Sequence, residues 1–538
     1  VTQDTPAFFT LDHGTVSTSA ALVAPVEGRY RLLASASAPV SIDPASVLED
    51  LAWRVARTDA SLAGSMDGWR DWSRLEVHTG RAPAAVLVAA APETGALLER
   101  AFSAAGWTIR ARFFERAPAV LELGEACLAP GVDAVVMGAR DSVPEEEREA
   151  AERLWLRVAS LARFRDDLAV IACGPFSQRP EGIPDGRLFA LPAPVPEALA
   201  SVLRGAALQV GRHLADRGQP AIDARSALGT GTASLAAVLG VPVDAIEIGI
   251  AGGSRTEARP DGVVRHGVIA AAGCLSPDLL DDLTQAEDVL RWSARGGGDP
   301  GVRVDALRDL VLQPWAMVDV DGAHLRLAAL RAALERLETA WTGLAGSPSE
   351  ARTSGVLLLA GGTFAALPPA AAALAVVDGI RRPGAVSLLY DHAALLAPLG
   401  ALPVEDDRRR LLTDLAADAF LPLGAAVTTG PMPEPRRDGA AAGLHVASVL
   451  GDQHLRLEPG DLRVLDLPPG VAARLDIDPG GSMVFGIQGR HLTLELTGGL
   501  GGLFVDTRPI PLDLPSSGEA RRTALEAWEA PIWAGLDR

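Results

Sequence analysis

The chain contains no lysine and no asparagine, so all 49 of its basic residues are arginine. Codon bias in a GC-rich genome accounts for this, and the chemical consequences hold whatever the cause. There is no lysine to form a Schiff base, which excludes pyridoxal-phosphate chemistry of the usual kind. A Walker-type phosphate loop and a protein-kinase ATP site each lack their lysine, and N-glycosylation lacks its acceptor. The three cysteines, Cys127, Cys173 and Cys274, lie far apart in apolar stretches. They suggest buried, inert thiols and neither a disulfide framework nor a zinc site. The nine histidines are scattered, with no H-E-x-x-H and no tight pair, so a histidine metal site is not expected. No G-x-S-x-G elbow occurs. No basic-then-apolar leader opens the sequence. The most apolar run, Val356 to Val377, is interrupted by Gly361, Gly362, Pro368 and Pro369. It reads as strand, turn and helix, and not as a membrane span; the simplest compartment is cytoplasmic. Basic residues are outnumbered by 68 acidic ones, for a net charge of −19. That balance opposes nucleic-acid binding and adhesion to anionic membranes.

At 538 residues, with 48% hydrophobic and 22% charged, the chain is globular and too long for one core. Its opening reads as an antiparallel meander: an apolar run from Ala7 to Leu11, a second from Ser17 to Ala24 and a third from Arg29 to Ser37, with turns at Gly14 and at Glu27-Gly28. Strand and helix patterns then alternate. Strands are expected at Ala84 to Ala91, Asp133 to Met137 and Leu168 to Cys173. Helices are expected near Glu93 to Ala105 and from Ser142, which has capping-box spacing to Glu145, to about Phe164. The pattern restarts after Gly240. Ala245 to Ile250 and Val263 to Ala271 read as strands, Ala323 to Trp341 as an amphipathic helix, and Val356 to Leu359 and Ala385 to Leu389 as strands. Two similar α/β halves follow from this, residues 1–240 and 241–427. A linker by composition covers 428–442, and a compact β-rich domain covers 443–538, closed by a helix with Ser516 and Glu519 at capping-box spacing.

Each half opens with an acid followed by a glycine turn. In the first, Asp12 ends a strand, Gly14 permits a sharp turn, and Thr15, Ser17 and Thr18 supply hydroxyls. Exposed N–H groups and hydroxyls of this kind can cradle phosphate, and the carboxylate can hold a hydrated Mg²⁺. The second repeats the logic with Glu247, Gly249, Gly252, Gly253, Ser254 and Thr256. Later, Gly361, Gly362 and Thr363 leave a strand and open a helix, where glycines permit close approach of an adenosine. Arg255 could pair with phosphate oxygens, but a solvated surface arginine is the simpler reading. The same holds for Arg381 and Arg382 and for Arg408 to Arg410, and His13 reads as an exposed turn histidine.

This order of motifs resembles the actin, heat-shock-chaperone and hexokinase (ASKHA) superfamily. More narrowly, the chain is similar to the glutamate mutase L (MutL/GlmL) family of accessory proteins for cobalamin-dependent mutases. Three stretches carry the likeness: Leu11 to Ala20; Gly355 to Leu402, with Gly361-Gly362-Thr363, Asp378, Arg382-Pro383-Gly384, Asp391 and Leu399-Gly400-Ala401-Leu402; and Gly498 to Pro509, with Asp506-Thr507-Arg508. The resemblance implies a two-lobed actin-like ATPase, with RNase H-like lobes, that binds ATP and Mg²⁺. Asp12 and Glu247 would be its catalytic acids, Asp12 orienting the metal. Gly14, Thr15 and Thr18 would bind phosphate from one lobe, Gly249, Gly252 and Gly253 from the other, and Gly361, Gly362 and Thr363 would lie at the adenosine. It also implies a protein partner, a cobalamin-dependent mutase or a related enzyme. The chain departs from the family pattern at Ser19, where a lysine is frequent, at Glu247, where aspartate is usual, and at Ile250-Ala251, which interrupt the second glycine stretch. An alternative follows: a nucleotide-free actin-like scaffold or assembly subunit. A small-molecule kinase is a third reading.

Overall fold

The structure is a computed structural model. It describes residues 7–58, 68–79, 83–176, 183–195, 200–215, 222–276, 283–295, 299–314, 316, 318–345, 355–429, 442–478 and 492–534.

The expected opening meander forms: β1 (Phe8–His13), β2 (Ser17–Val26) and β3 (Arg29–Pro39), followed by the helix Pro44–Thr58 and by β4 (Ser73–His78). β1 pairs antiparallel with β2 and parallel with β4, giving the order β3-β2-β1-β4. Alternation along β1 decides what each face meets. Phe9 and Leu11 pack beneath the apolar face of helix Pro44–Thr58, formed by Val47, Leu48, Leu51, Ala52 and Val55. Phe8 joins a core on the other face with Leu228, Leu235, Leu396 and Leu399. Asp12 is therefore carried toward that second core and His13 away from it.

Residues 80–221, with 267–271, make one compact unit, and all the rest makes another. In the first of these units, β5 (Ala84–Ala89), β6 (Thr108–Phe114), β7 (Ala134–Gly138), β8 (Ala169–Cys173) and β9 (Leu188–Leu191) form an all-parallel sheet, ordered β6-β5-β7-β8-β9. This is the doubly wound order of flavodoxin-like sheets. The alternating pattern was legible, but β6 and the helix Val120–Leu128 were not foreseen. The helix expected from Ser142 begins at Glu145, after Pro144, and no side chain caps it.

In the larger unit the second half repeats the first. β10 (Val243–Ile248), β11 (Gly253–Ala258) and β12 (Val264–Ile269) form a second antiparallel meander, and β10 pairs parallel with β13 (Val356–Ala360). The order β12-β11-β10-β13 thus matches β3-β2-β1-β4. β13 continues to parallel β14 (Gly384–Asp391) and antiparallel β15 (Phe420–Thr428). Two helices cross between the meanders. Ala224–Leu239 is capped by Asp223, which accepts from Ser226 N, and ends at Gly240 with φ 67°. The short helix Leu396–Gly400 lies against it so closely that a Cβ on Gly400 would sit 1.9 Å from the carbonyl oxygen of Ala227, and one on Gly231 2.5 Å from that of Leu396. The paired meanders bridged by crossing helices repeat one α/β plan in two halves, as expected from the sequence.

The C-terminal region is β-rich, as expected, but is not a separate sheet system. β16 (Ala442–Ser448), β17 (Gly451–Leu457), β19 (Ala472–Asp478) and β20 (Leu492–Thr497) make a four-stranded sheet ordered β17-β16-β19-β20. β18 (Leu462–Leu465) and β21 (Leu503–Asp506) instead extend the large sheet beyond β15. Leu444, Leu475 and Ile477 share one core with Val427, Leu503 and Val505. Most of the expected linker, 430–441, lies outside the described residues. The final helix, Gly518–Trp533, starts after Ser517, and the expected capping box at Ser516 does not form.

Several arginines read as solvated are buried ion partners. Arg255 is fully buried: its Nη2 lies 2.8 Å from Asp244, and it also pairs with Glu338. Arg382 bonds Glu257 at 2.5 Å and Asp244 at 3.0 Å, and Arg381 bonds Asp506 at 2.5 Å. Arg408 donates to Ser234 Oγ at 3.2 Å, and Arg410 lies over the Tyr30 ring at 5.6 Å. Only Arg409 of that trio makes a plain surface pair, with Glu405 one turn earlier. All three cysteines are buried and unpaired, and burial pushes Cys127 and Cys274 up to about 12.

Candidate functional site: two acid-and-glycine turns

The two turns are built to one plan. Asp12 stands opposite Ser19 across β1 and β2, and Glu247 stands opposite Ser254 across β10 and β11. In both, the glycine two residues after the acid closes the turn: Gly14 N donates to Ser17 O at 2.8 Å, and Gly249 N donates to Gly252 O at 2.9 Å. Each acid is thus delivered by the last residues of a first strand, and each turn leaves backbone N–H groups near it.

The turns approach one another. The charge of Glu247 acts on Asp12, as do those of Asp391 and Arg225. Arg225, at the start of helix Ala224–Leu239, donates from Nε to Glu247 Oε2 at 3.2 Å, and Ser254 Oγ donates to the same oxygen at 3.3 Å. Asp391, at the end of β14, accepts from Leu395 N at 2.9 Å and Leu396 N at 2.8 Å. Asp12 differs from both: its Oδ1 is sealed from solvent and has no hydrogen-bond partner, although the residue as a whole keeps some exposure. Burial, reinforced by Glu247 and Asp391 and opposed by Arg225, raises Asp12 to about 7. Burial raises Asp391 to about 6, against the two backbone donors. Burial also raises Glu247, against the pull of Arg225. Arg225 acts on two of these three carboxyl groups, Asp12 and Glu247, which leaves a surplus of negative charge that protons or a cation must offset.

Gly361 meets this site from β13. It has φ +99°, and a Cβ there would lie 2.3 Å from Ile248 O, so only glycine fits. Thr363 is buried and donates to Ile248 O at 2.6 Å, which braces the turn and occupies its hydroxyl. Gly362 is exposed, with nothing near the place its Cβ would take. Gly253 lies inside β11, and Gly252 supplies the closing carbonyl of its turn. Thr18 pairs with His13 across the strands, its Oγ1 3.2 Å from His13 Nδ1, on the face of the sheet opposite Asp12. The structure therefore gathers Asp12, Gly14, Glu247, Gly249, Gly361 and Gly362, and gives Thr18 and Thr363 bonds of their own. Sequence reasoning missed Arg225 and gave Asp391 no role. The available signals were an apolar strand ending in an acid, for Asp391, and an Asp cap directly before the helix, for Arg225. A separate cavity, lined by Val356, Ala385, Arg382 and Thr428, lies at the other ends of β13 and β14 and is not part of this site.

No family model matches the chain, and no curated protein matches it. Among solved structures, component A of the (R)-2-hydroxyglutaryl-CoA dehydratase of Acidaminococcus fermentans is similar over 75% of this chain and 99% of its own, at 9% identity and TM-score 0.28. A nucleotide-free acetone carboxylase is similar over 84% of this chain and 80% of its own, at 10% identity and TM-score 0.29. The PilM–PilN type IV pilus biogenesis complex is similar over 76% of this chain and 99% of its own, at 15% identity and TM-score 0.24.

Proposed function

We propose that the chain is a cytoplasmic, ATP-binding accessory protein that acts on a partner enzyme, in the manner of the glutamate mutase L family, with a cobalamin-dependent mutase or a related protein as that partner. The observation that carries the nucleotide part is the unpartnered Asp12 Oδ1, set beside Glu247 and Asp391 at the mouth of two like-built glycine turns. An orphaned buried oxygen within surplus negative charge suits a hard divalent cation. Among the described residues these three acids do not form a group with ligand atoms within 4.8 Å of one another. Asp12 would accordingly hold Mg²⁺ through its hydration shell, and the cation would neutralise phosphate charge there. The N–H groups of the turns at Gly14 and Gly249 would bind phosphate oxygens, Thr15 would add a hydroxyl, and the open space at Gly362 would receive the adenosine. Arg225 would hold Glu247 ionised and oriented. Among the described residues no helix is long and apolar enough to cross a membrane.

Calorimetric titration with ATP, ADP and GTP in the presence of Mg²⁺ tests this. Binding of an adenine nucleotide that weakens by at least about tenfold in Asp12→Ala is the expected outcome, the loss of a charge-assisted metal contact. Absence of binding by all three nucleotides would eliminate the proposal. It would favour the second reading, a nucleotide-free scaffold, which the bonded hydroxyls of Thr18 and Thr363 support.

A further inference from the structure

We propose that His13, His78 and Glu76 form a binding site for a first-row transition-metal dication, Zn²⁺ being the best fit, on the face of the first sheet opposite Asp12. The parallel register of β1 and β4 sets His13 beside His78 and Leu11 beside Glu76. Glu76 and His78 are two apart on one strand and therefore share a face, which is the face that carries His13. One ligand atom from each of the three lies within 4.8 Å of the others, and all three residues are partly open to solvent. The two imidazoles stack at 4.3 Å between centroids with planes 16° apart. Thr18 Oγ1, 3.2 Å from His13 Nδ1, orients the first ring.

Two histidines and a carboxylate are a ligand set for zinc that leaves a coordination position open. Zinc–ligand bonds of about 2.1 Å hold neighbouring ligand atoms roughly 3.4 Å apart in a tetrahedron. Rotation about side-chain bonds closes the remaining gap without backbone movement. Imidazole ligands select zinc, cobalt, nickel or copper over magnesium, so this site and the hard-cation site at Asp12 take different metals.

The second meander shows that the pair is not a requirement of the fold. If Asp12 corresponds to Glu247, then His13 and His78 correspond to Ile248 and Gly361. The first half thus holds two imidazoles where the second needs none.

The test uses the full chain, stripped with chelator and dialysed against Zn²⁺ or Co²⁺, with metal content and the cobalt visible spectrum as readouts. One tightly held ion per chain is expected, with nitrogen-ligated cobalt bands. His78→Gln and Glu76→Gln should each weaken binding, and Thr18→Val should weaken it by about tenfold or more through loss of ring orientation. Melting curves of the metal-free variants show whether each is folded. Binding that survives in a folded His13→Ala/His78→Ala variant, or no binding at all, would overturn the proposal.

Discussion

Asp12 is the residue at which the site's electrostatics become measurable without a ligand. Its folded value of about 7 lies above the ordinary 3.8 because burial and two neighbouring acids disfavour the charge. Between those values the folded state keeps a proton that the unfolded chain releases, so stability falls as pH rises from about 4 to about 7 and stays low above that. Asp391, raised to about 6, acts in the same direction. Asp12→Asn cannot ionise, so it should melt near the unaltered protein at about pH 4 and several degrees higher at pH 8. Thermal melts of the metal-free proteins check this; curves that fall in parallel would show that Asp12 does not carry the effect. Asp12 and Glu247 could be picked out in the sequence because a glycine follows each at the end of an apolar strand. His13 and His78 could not be joined, since 65 residues separate them and only the β1–β4 register brings them together. Arg255 was misread for a related reason. Its strand, Gly253–Ala258, is polar in composition yet wholly buried, because Arg255 is matched by Asp244 of the paired strand and by Glu338, and Glu257 by Arg382, with Glu338 and Arg382 coming from distant segments.

At the level of elements, two glycines govern how the halves meet the site. Gly400 lets helix Leu396–Gly400 touch helix Ala224–Leu239, which carries Arg225 at its start. A methyl group there would overlap backbone atoms that cannot rotate away, and Gly400→Ala should cost about 3 kcal/mol or more. Gly361→Ala adds an unfavourable φ to a 2.3 Å approach at Ile248 O, and a loss of about 2–3 kcal/mol is expected. Gly362→Ala, with open space around it, should leave stability within about 0.5 kcal/mol. Denaturant unfolding of the three variants separates these outcomes. Equal stability of all three would mean that the close approaches do not constrain the fold. The meanders and the parallel runs were legible because strand periodicity and glycine turns are local signals. Helices such as Ala224–Leu239 and Glu405–Ala419 were not foreseen. The first is small-residue-rich and mostly buried, and the second opens in a charged run that masks its apolar stripe, Leu411, Leu412, Leu415 and Ala419.

Across the whole larger unit, a chain of arginines and acids binds the C-terminal segment to the second half. Arg331, on helix Val320–Ala345, bonds Asp378 at 2.7 Å and also pairs with Glu529 of the final helix. Glu529 receives His324 at 2.7 Å and Trp533 Nε1 at 3.0 Å. Arg508 bridges Asp378 and Asp506 at 2.7 and 2.8 Å and lies 4.5 Å from the Trp528 ring centroid. Arginine suits this role, since its planar fork serves two carboxylates at once. A composition change near residue 442 suggested an independent domain, but composition cannot show that β18 and β21 complete another sheet. Without Glu529, three arginines (Arg331, Arg381 and Arg508) are left to two carboxylates, Asp378 and Asp506, so Glu529→Gln should destabilise by about 3 kcal/mol. Replacing both partners by apolar side chains removes the stranded charge, and Arg331→Met/Glu529→Leu should recover part of that loss. Asp378 keeps its bond to Arg508 in that double variant, so it is not left alone. Denaturant unfolding together with amide exchange over residues 518–533 reads both effects, and faster exchange of the final helix in Glu529→Gln is expected. A double variant weaker than the sum of its single changes would mean that the network, beyond offsetting its own desolvation, is what fixes the final helix to the sheet.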